Sequence, residues 1–201
     1  MKQITVILDP AHGSDVPGKR SPDGAHLEYR WSRERVNSLR NKLKAKGYDV
    51  LVTTESETEP GLSRRRSFAT SAKGNNKLLL SLHNDAAGNG TSWMSAEGAS
   101  VFTTKGVTIS DTCAEIILKG FEKNFPDIKI RKFTNTPLNR DFEENFTVLS
   151  GSGYYGVLVE WLFQDNKKDV EKLLDPKFNE RFETSLVESI EEINNYFSTR
   201  R

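Results

Sequence analysis

Apolar residues along this chain fall into short continuous runs, separated by longer stretches in which they recur every three or four positions. The first run, Ile4-Thr5-Val6-Ile7-Leu8, is β-branched and stops at Asp9-Pro10, which predicts a buried strand over 4–8. Residues 28–46 set Trp31, Val36, Leu39 and Leu43 near one face of a helix, with Lys and Arg elsewhere and Gly47 as terminator. A second strand follows at 48–54, then a short basic helix at 62–72 after Pro60-Gly61, then a third strand at 77–82 that is apolar on both faces. Residues 86–97 read as a Gly/Ser/Asn loop, 99–103 as a strand, and 109–121 as a helix with Ile109, Cys113, Ile116, Ile117 and Gly120 on one side. The stretch 126–150 is polar and irregular apart from a short strand near 128–130. Residues 156–159 form another buried strand, and 166–174 a short helix. Phe178, Phe182, Leu186, Ile190, Ile193 and Phe197 trace the stripe of a long last helix.

Strands alternating with helices predict an α/β fold: a single domain with a mostly parallel, twisted sheet of about six strands and helices on both faces. The 201 residues suit one domain, and the lack of a repeat or low-complexity linker argues against an appended module. In such a sheet, ligands bind where strands end at the carboxyl edge.

Composition narrows the chemistry. Charged residues make up 28% of the chain but the net charge is only +1, so no basic surplus marks a nucleic-acid partner. Cys113 is the only cysteine, which excludes an intrachain disulfide and a thiolate metal cluster. It lies in an apolar helical pattern and reads as a small core residue. A bound metal would therefore need His and carboxylate ligands. No stretch approaches the roughly 20 apolar residues of a membrane span. The N-terminal run is too short, and lacks a cleavage site, to be a signal peptide.

Three buried runs lead at once into a side chain with chemical potential: His12 after the first, His83 after the third and Glu160 after the late one. A catalytic zinc takes three protein ligands and keeps one position open. Glu28, opening the first helix, and His26, two residues earlier, both qualify as the third ligand, and spacing does not separate them. Glu160 is a carboxylate in an apolar run, a costly place without a partner or a task. Beside a metal it could move a proton, with its pKa raised by burial. Each residue also has an ordinary reading: a hydrogen-bonded strand-end His, a solvated helix-start Glu, an ion-paired Glu160.

Taken together these residues resemble the zinc-dependent N-acetylmuramoyl-L-alanine amidases, the amidase-3 family, across essentially the whole chain. Asp9-Pro10-Ala11-His12-Gly13 is similar to the family's Asp-Pro-Gly-His-Gly opening, and Glu28 falls on its ligand Glu. The segment from Leu62 to Ala69, with Arg64, Arg65 and Arg66, resembles its Leu-x-x-Arg element. Ser81-Leu82-His83-Asn84-Asp85-Ala86 resembles Ser-(Ile/Leu)-His-x-Asn-Ala, and Glu97-Gly98 resembles the Gly opening the next strand. Val157-Leu158-Val159-Glu160, with Phe163 and Asn166, resembles Val-Leu-Val-Glu-x-Gly-Phe-x-x-Asn. Ala11, Ser14, Asp85 and Leu162 depart from that pattern, the last standing where the family has Gly, beside an unusual Trp161. Asp85 and Trp161 bear on substrate preference.

The resemblance implies one zinc per chain on His12, Glu28 and His83. It implies hydrolysis of the amide between N-acetylmuramic acid and L-alanine, with Glu160 taking a proton from water and returning it to the departing amine. Asp85, Arg140 and Asn145 are the candidate substrate contacts, with Asp141 beside them, although Arg140 and Asp141 read more readily as solvated loop charges. The implied partner is peptidoglycan, met by a monomer in the periplasm, outside the cell, or after release as a phage lysis enzyme. No cell-wall-binding domain is expected beside the catalytic one. The competing readings are another zinc peptidase of the cell wall and an inactive wall-binding module.

Overall fold

The computed structural model describes residues 2–199. Six strands, β1 (Thr5–Pro10), β2 (Asp49–Val52), β3 (Leu78–Asp85), β4 (Ala99–Thr103), β5 (Phe142–Glu143) and β6 (Tyr155–Phe163), form one sheet in the order β2-β1-β3-β6-β4-β5. The pairs β1–β2, β1–β3, β3–β6 and β4–β5 are parallel, and β4 runs antiparallel to β6. This is the α/β sheet that the alternation of patterns predicts.

One face of the sheet carries most of the core. Val6, Leu8, Leu80, Val101, Val157, Val159 and Trp161 meet Trp31, Leu39 and Leu43 of α1 (Glu28–Ala45), Cys113, Ile117 and Phe121 of α3 (Ile109–Asn124), and Phe182, Leu186 and Ile190 of α5 (Pro176–Ser198). The opposite face is covered more thinly. There Ile7, Leu79 and Leu158 pack on Ala69 of α2 (Leu62–Ser71) and on Val148, Leu149 and Tyr154 from the long loop. The thin cover leaves the alternate residues of β3 and β6 at the carboxyl edge accessible, and these are the residues with chemistry.

Local sequence explains where the helices begin. Thr108 and Asp111 form a reciprocal capping box on α3. Asn166 caps the short helix α4 (Lys167–Leu174), and Asp175 caps α5, whose first residue is Pro176.

Several boundaries differ from the pattern-based reading. β3 continues past Leu82 to Asp85, so His83 stands inside the strand. β6 continues to Phe163, because the polar Glu160 interrupts an apolar run without ending it. β5 is two residues long in a polar stretch and is held by the Phe142 ring 5.3 Å from Phe102. Near 128–130 only Ile130 makes a bridge, to Ala99. Trp161 also corrects an expectation. Side chains alternate along β6, so Trp161 turns away from Glu160 and lies fully buried, with Phe121 and Phe182 each 4.6 Å from it. It builds core and does not face a substrate.

Leu162 marks a bulge. Between His83↔Glu160 and Asp85↔Phe163 the register shifts, β6 carrying one residue more than β3, and Leu162 sits at φ +63 with no exposed surface. An alanine there would keep the unfavourable backbone and leave a cavity, whereas glycine leaves the cavity and relieves the backbone. The usual penalty of about 0.5–1 kcal/mol for Gly relative to Ala should therefore vanish or reverse. Urea unfolding is expected to place Leu162→Gly at or above Leu162→Ala, both below the parent. An alanine variant clearly the more stable would contradict the strain.

Candidate metal centre

The chain turns sharply after β1. His12 adopts φ +45, a conformation non-glycine residues hold only when their surroundings enforce it. Two guanidinium groups do so here, that of Arg65 buried and that of Arg33 half-buried. Arg33 Nη2 and Arg65 Nη2 donate to the His12 carbonyl at 2.8 and 3.0 Å, and Arg33 Nη1 donates to the Ala11 carbonyl at 3.0 Å. Arg65 is itself fixed by Glu59, at 2.9 and 2.8 Å, and by Asp9 at 3.0 Å. Ser32 of α1 accepts from the Ala11 N–H at 2.8 Å and donates to the Leu82 carbonyl at 2.7 Å, tying the loop to β3.

This frame brings three remote residues together. Ligand atoms of His12, Glu28 and His83 all lie within 4.8 Å of one another. Glu28 Oε1 is 3.3 Å from His12 Nε2 and 3.2 Å from His83 Nδ1. The same oxygen accepts from the Asn84 N–H at 3.1 Å, and Oε2 accepts from Gln164 Nε2 at 2.8 Å. Burial drives the Glu28 carboxyl upward, but hydrogen bonds and positive charge from the two imidazoles in their doubly protonated form outweigh it and hold the group below the usual carboxylate range. Glu28 has no exposed surface, whereas the side chains of His12 and His83 keep 20% and 13% of theirs, so the cluster opens on one side. Two imidazole nitrogens and one carboxylate oxygen, converging on an open side, match the donor set and vacancy that a catalytic zinc requires.

Glu160 stands directly across from His83 in the β3–β6 register and on the same face of the sheet. Its Oε2 is buried and has no hydrogen-bond partner among the described residues. Burial, then the neighbouring charges of Glu28 and Asp85, push its carboxyl well above the ordinary value. An orphaned acid oxygen beside a ligand cluster is a group available for proton transfer.

The remaining candidates lie elsewhere. His26 is turned away: its Nε2 meets Asn84 Oδ1 at 2.9 Å and its ring lies beside Trp31, with burial lowering its pKa. Asp85 borders the cluster but is paired with Arg131 at 2.8 Å. Arg140 is neither a solvated loop charge nor at the cluster, because Glu115 and Glu122 of α3 hold it at 2.9 and 3.0 Å. Asp141 is buried and accepts from Thr103 Oγ1 at 2.7 Å. Asn145 shares a cavity with Ser110, Tyr155 and Gly156 at the start of β6, about 16 Å along the strand from Glu160. Composition and pattern did not single out Asp9, Ser81, Asn84 or Gln164, and they surfaced Arg65 only as one arginine of three. Their one legible signal was polarity inside buried runs.

A family profile described as N-acetylmuramoyl-L-alanine amidase matches residues 6–192. A curated relative, N-acetylmuramoyl-L-alanine amidase AmiC of Neisseria meningitidis serogroup B, is 25% identical over 223 aligned positions covering 94% of this chain and 51% of the relative. The chain thus spans about half the length of that protein. Among solved structures, an N-acetylmuramoyl-L-alanine amidase from Clostridium difficile 630 superposes with a TM-score of 0.82 at 22% identity, covering 100% of both chains. The amidase Ami1 from Mycobacterium smegmatis superposes with 0.81 at 15% identity, covering 97% of this chain and 98% of its own. At such identities the superpositions establish a shared fold.

Proposed function

Because this chain belongs to the N-acetylmuramoyl-L-alanine amidase family, we propose that it is a zinc-dependent amidase that hydrolyses the bond between N-acetylmuramic acid and L-alanine in peptidoglycan. The observation that carries the reading is the convergence of His12, Glu28 and His83 within 4.8 Å, beside the unpartnered oxygen of Glu160.

His12, Glu28 and His83 would hold the ion. When bound, zinc supplies Lewis acidity toward water and an amide carbonyl. Glu160 accepts the proton of the attacking water at its free carboxyl oxygen and returns it to the amine nitrogen that leaves. The elevated affinity of that carboxyl for a proton, set by burial and by Glu28 and Asp85, suits it to both transfers. Gln164 and the Asn84 N–H occupy the other acceptor positions of Glu28 and keep its carboxylate from rotating. Asp85, tied to Arg131, forms a charged rim next to Glu160 where a stem peptide would pass. All four central side chains come from one chain, so the site needs no partner subunit. We assign the chain to catalysis at the cell wall, and among the described residues no helix is long and apolar enough to cross a membrane.

Mass spectrometry of digested peptidoglycan tests this directly. The expected products are stem peptides with a free L-alanine amine and intact glycan, lost on chelation and regained with zinc. New amines inside the stem peptide would identify a peptidase instead. Replacing His83 by alanine removes one of three donors, and elemental analysis is expected to find the variant largely free of zinc. Unchanged stoichiometry would count against the donor set.

A further inference from the structure

We propose that Ser81 and Asp9 are positioning residues that fix the tautomer and orientation of His83. The inference rests on the zinc reading for its consequence, though its geometry stands apart from it. Ser81 and His83 are two residues apart on β3 and project from the same face. His83 Nε2 lies 3.1 Å from Ser81 Oγ, and Ser81 Oγ lies 2.6 Å from Asp9 Oδ2. Both supporting residues are buried, Ser81 at 0% and Asp9 at 1% exposure.

The direction of this chain follows from counting protons. Asp9 takes a 3.0 Å contact from the buried guanidinium of Arg65 and a hydrogen bond from the Thr53 hydroxyl, so it acts as a carboxylate with only lone pairs to offer. The short contact from Ser81 therefore uses the single hydroxyl proton. What remains on Ser81 Oγ is lone pairs, and these can hold the ring only if His83 Nε2 carries a hydrogen. A neutral ring protonated at Nε2 presents a bare Nδ1, the atom 3.2 Å from Glu28 Oε1. Two lone pairs facing each other at that distance repel, and a cation between them turns the repulsion into coordination. The relay thus makes Nδ1 the ligand atom and prevents the ring from flipping. Arg65 joins the two histidines, since one guanidinium contacts both Asp9, behind His83, and the His12 carbonyl.

Nitrogen-15 NMR of the histidine rings and zinc titration test the relay together. In the wild type, His83 Nε2 is expected to give the signal of a protonated nitrogen, with a solvent-protected hydrogen. Ser81→Ala should lose that protection and weaken zinc affinity by about 10–100-fold, and Ser81→Thr, which keeps the hydroxyl, should recover most of it. Thermal melts of the variants identify any that fail to fold. An unprotonated Nε2 in the wild type, or a folded Ser81→Ala variant with undiminished zinc affinity, would overturn the proposal. Should the wild type bind no zinc, the zinc assignment falls, and the Nε2 signal of the same metal-free sample still decides the tautomer.

Discussion

Replacing Glu160 with glutamine is expected to lower kcat by about 10²–10⁴-fold, the usual contribution of a positioned acid/base, while zinc content stays at the wild-type level. Glutamine preserves shape and volume but cannot accept a proton, and none of the three proposed ligands is touched. The same variant should melt higher than the wild type when both are metal-free. The Glu160 carboxyl titrates well above its ordinary value because it is buried near Glu28 and Asp85. A carboxyl raised in the folded state contributes stability below its unfolded pKa, and that contribution is lost as pH rises through the folded value. Above the ordinary carboxylate range the wild type therefore loses stability that glutamine, which does not titrate, keeps. The gap in melting temperature should widen as pH rises from the ordinary carboxylate range toward the raised value of Glu160. Full activity in the variant would remove Glu160 from the mechanism, and a gap independent of pH would contradict its electrostatic setting.

Arg65→Met should be the most damaging single change to stability. The guanidinium is 1% exposed and spans Glu59, Asp9 and the carbonyls of Pro10 and His12. Its removal strands Asp9 in the core without its cation, a class of change that costs about 3–5 kcal/mol. For a chain of this size that corresponds to a fall of roughly 6–20 °C in melting temperature. Arg65→Lys should recover only part of the loss, since an ammonium cannot reproduce a fork that serves four acceptors. Whatever protein remains folded should bind zinc more weakly, because the carbonyl grip that keeps His12 at φ +45 is halved. A cost under about 1 kcal/mol in urea unfolding, the range of an exposed ion pair, would show that the network is not structural.

The two sets of residues were not equally legible in the sequence. β1, β3 and β6 stood out because strands buried on both faces are continuous apolar runs. For the same reason His12, His83 and Glu160 were visible as the polar groups that interrupt or follow those runs at one edge of the sheet. Glu28 and His26 could not be separated by spacing, since both leave the same loop. The structure turns His26 toward Asn84 and leaves Glu28 between the two imidazoles. Arg140 and Asn145 were drawn in by their place in a long polar loop. That loop folds against α3 and the start of β6, and a loop's path depends on tertiary contacts that carry no periodic signal. Asp9, Ser81 and Arg65 were hidden for another reason. Arg64, Arg65 and Arg66 look alike in sequence, yet only Arg65 is buried, and which arginine turns inward is decided by the carboxylates waiting there.

Anomalous diffraction at the zinc edge, from crystals of active zinc-loaded protein, reaches the central claim most directly. A single strong peak contacting His12 Nε2, Glu28 and His83 Nδ1, with Glu160 facing its open side, is the predicted result. A peak elsewhere on the molecule, or none at these three residues in an active crystal, would contradict the account.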